Sequence, residues 1–132
     1  EAFARARHFL SFMPEYVGQP ARRVETGDPA DRREEALLSL VPREDKQVYS
    51  MRRAMDLLFD TGTVFEIGKQ WGRACITALA RLDGWPVMVL ANDPSYLGGS
   101  WDAKTSEKVE RWVKLADQFR LPIVHLVDNP GF

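Results

Sequence analysis

Residues 85–91 (Trp85, Pro86, Val87, Met88, Val89, Leu90 and Ala91) make a nearly continuous apolar run. A half-exposed strand alternates apolar and polar residues, so a run without alternation is the mark of a strand covered on both faces. The pair Asp83-Gly84 just before it is a hairpin-type turn. A second strand over residues 74–82 is therefore expected to pair with it. Layers above and below such a strand make an α/β arrangement.

The flanking elements follow from periodicity, which changes at Thr61-Gly62 from about 3.6 to 2. Upstream, Phe3, Ala6, Phe9, Leu10 and Met13 predict a helix over 1–13 that ends at Pro14. Residues 14–29 carry three prolines and two glycines among few apolar residues, which reads as an extended connector. Asp31 is expected to cap a second helix running to Leu38, with Glu34 completing a capping box. Ser50 predicts the cap of a third helix over 51–60, burying Met51, Met55, Leu58 and Phe59. Downstream come short strand 64–67, strand 74–82 and strand 85–91. A helix over 105–119 then buries Val109, Trp112, Val113, Ala116 and Phe119, and strand 123–127 closes the chain. Residues 1–61 read as a helical connector and 62–132 as the first part of a domain. Glu1 falls inside a helix, and Phe132 stands one residue past a Pro-Gly turn. The chain is expected to be a piece of a larger polypeptide.

Composition narrows the function classes. A length of 132 residues allows one domain with a modest core. The net charge of -1 gives no broad attraction to nucleic acid or to an anionic membrane. No apolar run approaches the roughly 20 residues that span a bilayer. Cys75 is the single cysteine, so no disulfide framework is expected, and no secretory signal is visible. A cytoplasmic location is the economical reading. His8 and His125 are too poorly accompanied for metal ligation.

Candidate chemistry lies in the last third. Gly98-Gly99 follows the buried strand and precedes a helix. It is either a flexible loop using positive φ or a place where backbone approaches a ligand. No third glycine sits at the spacing of a dinucleotide fingerprint, and no Gly-Lys-Ser/Thr end marks a P-loop. Pro130-Gly131-Phe132 follows the last strand, and α/β sheets place ligands at strand C-terminal ends. It is either an ordinary turn or a pair of outward backbone N–H donors at Gly131 and Phe132. Lys108 reads as a solvated helix residue, Asp128 as a brace for the turn and Cys75 as a buried thiol. No Ser-His-Asp order or paired catalytic carboxylates can be assembled, which fits catalysis by backbone donors.

These residues carry a resemblance. Ala91, Asn92 and Pro94, then Gly99, Asp102, Ser106 and Lys108, resemble the carboxyltransferase subunit of biotin-dependent acyl-CoA carboxylases. So do Asp117, Phe119 and Pro122, and the closing Asp128, Pro130, Gly131 and Phe132. The propionyl-CoA and methylcrotonyl-CoA carboxylases belong to that family. Upstream, residues 28–35, Val41-Pro42, Tyr49, Met51, Arg52, Phe65 and Glu66 also fit its pattern, as do Ala80, Arg81, Leu82, Gly84, Pro86 and Val87.

The resemblance implies a crotonase-like (ClpP/crotonase) spiral of ββα units, incomplete here and similar to the start of the family's second half. It implies carboxyl transfer between carboxybiotin on a carrier domain and the α-carbon of an acyl-CoA. The alternatives are a biotin-dependent decarboxylase subunit and a non-catalytic assembly homologue. By resemblance, Gly131 and Phe132 give backbone N–H groups to the biotin carbonyl oxygen, and Asn92, Pro94, Gly98 and Gly99 lie along the cofactor cleft. Implied partners are biotin carboxylase and biotin carrier subunits and further copies of the same chain. The implied location is the cytoplasm, or the mitochondrial matrix in a eukaryote. The sequence departs from the family pattern at Ala78 and Met88, where glycines are usual, and at Trp101, His125 and Asn129.

Overall fold

The apolar run lies inside a sheet. In the computed structural model, which describes residues 1–29, 31–44 and 47–130, strand β3 (Trp85–Asn92) is buried at every residue but the first. β2 (Cys75–Leu82) pairs with it antiparallel, with Leu82 opposite Trp85 across the Asp83-Gly84 turn. β1 (Phe65–Ile67) adds antiparallel outside β2, and β4 (Ile123–Leu126) adds parallel outside β3. The sheet order is β1-β2-β3-β4. Trp85, expected inside, is exposed because it sits at the hairpin end, beyond the covering layers.

Each face of the sheet receives a helix. Helix α2 (Met51–Leu58) lays Met51, Ala54 and Met55, with Phe59 beyond it, on Ile76, Ala78, Ala80, Val89 and Ala91. The alanines of the strands let the helix come close. Ser50 caps α2 by accepting from the Arg53 N–H (3.3 Å). The helix stops at Leu58, earlier than expected, and Leu58 is 40% exposed. Phe59 turns extended and fills the core instead. The opposite face packs Leu79, Met88 and Leu121 against Ala116, Trp112 and Phe119 of helix α3 (Ala103–Phe119) and against Phe12. Ala78 and Met88 thus lie in opposite core layers, one on each face of the sheet.

The expected helix after Asp31 does not form. Glu34 is extended, and only a short 3-10 turn runs from Glu35 to Ser39. The reason is tertiary: the Arg32 guanidinium donates to the carbonyls of Leu57 (3.0 Å) and Phe59 (2.7 Å) and pairs with Asp28. It satisfies carbonyls that the end of α2 would leave unpaired, and this holds the chain out of a capping box. The first helix, α1 (Ala2–Ser11), is shorter than expected, and Phe3 and Leu10 are exposed. Its anchor is Phe12, just past its end, buried under the Arg81 guanidinium.

Helix α3 begins two residues before its expected start, because Asp102 caps it and accepts from the Thr105 N–H (2.8 Å) and hydroxyl (2.6 Å). Its inward stripe differs from expectation. Val113 is 40% exposed, whereas Thr105 and Lys108 are buried. Lys108, Trp112 and Ala116 follow at i, i+4 and i+8, and Val113 falls one residue to the side. Trp112 is only half-buried, so Trp112→Ala is expected to cost about 2–3 kcal/mol on denaturant unfolding, below the full range for a core tryptophan. A loss under about 1 kcal/mol would mean that this face adds no packing.

Among the described residues no helix is long and apolar enough to cross a membrane.

Candidate functional site

Strand direction collects the C-terminal ends of β1, β3 and β4 at one end of the sheet, together with the start of β2. Three segments meet there: the loop after β1, the loop 93–102 after β3, and the segment 127–130 after β4. This is the end at which an α/β sheet presents ligand-facing backbone.

Asn92 organises it. Its side chain is fully buried, its Nδ2 donates to the Gly99 carbonyl (3.0 Å), and its Oδ1 accepts from the Asp128 N–H (3.2 Å). One amide thus joins the glycine loop to the turn after β4. A side chain at Gly99 would put its first carbon 2.6 Å from the Asp128 carbonyl oxygen, and Gly99 has a φ of 85°. The loop and the turn therefore meet backbone to backbone, which only glycine permits here. Asp128 is held from a third side by Tyr49, whose hydroxyl donates to Oδ2 (2.7 Å). Burial and the neighbouring Asp128 carboxylate push the Tyr49 hydroxyl well above its ordinary range.

The carboxylates around this rim are spent internally. Arg52 donates to Asp93 (2.6 Å) and by two nitrogens to Glu66 (2.9 and 2.7 Å), tying α2 to β1 and to the exit of β3. Burial pushes the Asp93 carboxyl up, but Arg52 and Ser95 together hold it below its ordinary range. Thr105 holds Asp102 low in the same way. Asp93 is engaged by Arg52, Asp102 by Thr105 and Asp128 by Tyr49, so the rim does not present a row of loose negative charge. Trp101 stacks on His125 of β4 with ring centroids 6.0 Å apart.

The expected site residues divide as follows. Asn92 lies at the rim, but both ends of its amide are used within the chain, so its part is to hold the loop. Gly99 is buried against the turn. Pro94 is half-buried, and Gly98 is exposed with a φ of 61° and open space beside it. Gly131 and Phe132 lie outside the described residues. Asp128 is tied to Asn92 and Tyr49, and the turn it was expected to brace runs into residues outside those described.

Lys108 requires a correction. It is 1% exposed, not solvated, and its ammonium donates to the Cys75 carbonyl (2.7 Å). Burial pushes its pKa down. Cys75 is the buried thiol expected, pushed up to about 11 by burial. Tyr49 and Arg52 were not assigned to the site by residue chemistry. Their signal was their place just before and just inside the start of a capped helix. Among the described residues no group of three or more His, Cys, Asp or Glu could hold a metal ion.

Comparison with known proteins agrees with this architecture. The family pattern described as "Carboxyl transferase domain" matches residues 1–132. The methylmalonyl-CoA decarboxylase subunit alpha of Veillonella parvula is 35% identical over 132 residues, covering 100% of this chain and 26% of its own. The biotin-dependent long chain acyl-coenzyme A carboxylase beta4 subunit of Mycobacterium tuberculosis is 36% identical over 133 residues, covering 99% of this chain and 26% of its own. A crystal structure of transcarboxylase 12S, with methylmalonyl-coenzyme A and methylmalonic acid bound, superimposes with a TM-score of 0.93 at 32% identity. That match covers 99% of this chain and 25% of the solved one. The chain thus spans about a quarter of the length of these relatives. The α/β sheet with helices on both faces is crotonase-like, as the resemblance implied, and the chain belongs to the carboxyl transferase domain family.

Proposed function

We propose that the protein containing this chain transfers a carboxyl group between biotin held on a carrier domain and the α-carbon of an acyl-CoA. The observation that carries this reading is the family match along all 132 residues. The rim supports it: a turn braced by Asn92, Gly99 and Tyr49 leads the chain out at the end of β4. We assign the donor role to the backbone N–H groups of Gly131 and Phe132, immediately after that turn. One preorganised donor of this kind stabilises a developing oxyanion by about 3–4 kcal/mol.

The residues present fit an uncharged ring with a carbonyl oxygen. Asp93, Asp102 and Asp128, which would repel a negative charge forming on that oxygen, are each neutralised or hydrogen-bonded. Bound biotin would supply the carboxyl-carrying nitrogen chemistry, and this chain would orient it. Asn92 and Gly99 hold the cleft wall, and Pro94 and Gly98 line the approach. Residues 62–132 are the first part of the crotonase-like domain, and residues 1–61 lead into it.

The partners in this reading are a biotin carboxylase, a biotin carrier and further copies of the chain, in the cytoplasm or the mitochondrial matrix. Both a carboxylase subunit and a decarboxylase subunit are among the relatives, and the two directions share this half-reaction. The test supplies the complete protein with methylmalonyl-CoA carrying a labelled carboxylate. Label should pass to free biotin or to a biotinylated carrier, and the isolated 132 residues should be silent. Biotin-independent release by the complete protein, or turnover by the isolated piece, would overturn the assignment.

A further inference from the structure

Lys108 is more deeply buried than any other charged side chain among the described residues, and the chemistry above leaves it without a task. It reaches from the second turn of α3 to the start of β2. Its ammonium donates there to the carbonyl of Cys75 (2.7 Å) and, at longer range, to that of Gly72 (3.4 Å). The acceptors matter because of what stands beside them. Cys75 is opposite Asn92 in the β2–β3 register, and the Ala74 carbonyl accepts from the Asp93 N–H (2.8 Å). The segment from Gly72 to Cys75 that enters β2 therefore holds both Lys108 and the end of β3, from which Asn92 reaches Gly99 and Asp128. The loop 93–102 leaves the sheet at these residues and returns through Asp102 into α3, six residues before Lys108.

Burial opposes the charge on Lys108, as does Arg52, whereas Cys75, Glu66 and Asp93 favour it. A buried ammonium is costly to keep, and an apolar side chain of similar length often replaces a buried charge with no loss of stability. Simple space-filling therefore does not call for lysine at this place. The position calls for a donor at the Gly72 and Cys75 carbonyls.

We propose that Lys108 is a positioning residue for carboxyl transfer. By clasping the Cys75 and Gly72 carbonyls it fixes α3 to the end of the sheet and closes the 93–102 loop. Gly99 and the Asp128 turn then stand in a single arrangement. The proposal rests on reading this rim as the carboxyl-transfer site.

The test uses the complete protein with its biotin carrier, comparing Lys108→Met and Lys108→Arg with the parent. Lys108→Met should lower kcat about 10- to 100-fold, the scale expected when reacting groups are slightly misplaced. The KM for acyl-CoA should stay within about twofold, since the loss falls on an arrangement and not on CoA binding. Lys108→Arg, which keeps a charged donor, should recover most of the rate. Hydrogen exchange should quicken at 93–102 and at 128–129 in Lys108→Met while 51–58 keeps its protection. A Lys108→Met protein with parental kcat, or an arginine variant no better than methionine, would overturn the proposal. So would loss of protection spread evenly through α2. Should the methionine variant fail to fold, Lys108→Leu, which likewise carries no donor, makes the same comparison. A parent without carboxyl transfer sinks the functional reading instead, and the exchange pattern alone then decides whether Lys108 clasps the loop.

Discussion

Gly84→Ala is expected to cost about 3–4 kcal/mol of stability, in the upper part of the range for single substitutions. The added carbon would stand 1.9 Å from the Val24 carbonyl oxygen, inside any tolerable contact, at a residue whose φ is 75°. Relief requires the connector to move. That breaks the Val24 N–H bond to the Gly84 carbonyl (3.2 Å) and the Arg23 pairing with Asp83. The other partners of the turn cannot give way cheaply. Asp60 accepts from the Gly84 N–H (2.7 Å) and the Asp83 N–H (3.0 Å), and buried Arg81 donates to the Gly84 carbonyl (2.8 Å) and to Ser11 (2.7 Å). Denaturant unfolding of the complete protein measures the effect. A loss below about 1 kcal/mol would show that residues 23–24 are not seated on the turn.

Gly99→Ala is expected to act on turnover more than on folding. The alanine carbon would press the Asp128 carbonyl at 2.6 Å, and the residue must also hold a φ of 85°. The turn after β4 has to shift, while the cores on either side of the sheet keep their packing. A displacement of about 1 Å at reacting groups costs on the order of 100-fold in rate. In the proposed carboxyl transfer by the complete protein, we expect kcat to fall by about that factor, with the circular dichroism of the folded protein unchanged. Parental turnover in a folded variant would remove Gly99 and its contact from the working geometry.

What the sequence disclosed follows from which forces are local. The β3 run, the β2 hairpin and the length of α3 depend on residues within one element, and all three are observed within one or two residues of expectation. The missing helix after Asp31 depends on Arg32 meeting carbonyls about 25 residues away, which periodicity does not report. Lys108 was misread because residue type was taken as position. A lysine at i of an i, i+4, i+8 stripe with Trp112 and Ala116 belongs to the inward face whatever its charge. The site was legible mainly through family resemblance. Backbone N–H groups leave no side-chain signature, and the two buried hydrogen bonds of Asn92 could not be told from a ligand contact by spacing alone.

The connections of the sheet carry a consequence for how the chain assembles. Only Asp83 and Gly84 separate β2 from β3, but thirty residues, α3 among them, separate β3 from its parallel partner β4. Closing a two-residue loop is rapid, whereas a parallel pairing must wait for its crossover. The hairpin is thus the natural nucleus, and β4 the strand that docks late. The braced turn hangs on that late strand and on Asn92 at the far end of the hairpin. A chain in which β4 has not docked keeps the hairpin core but lacks the contacts of Asn92 and Gly99 with Asp128.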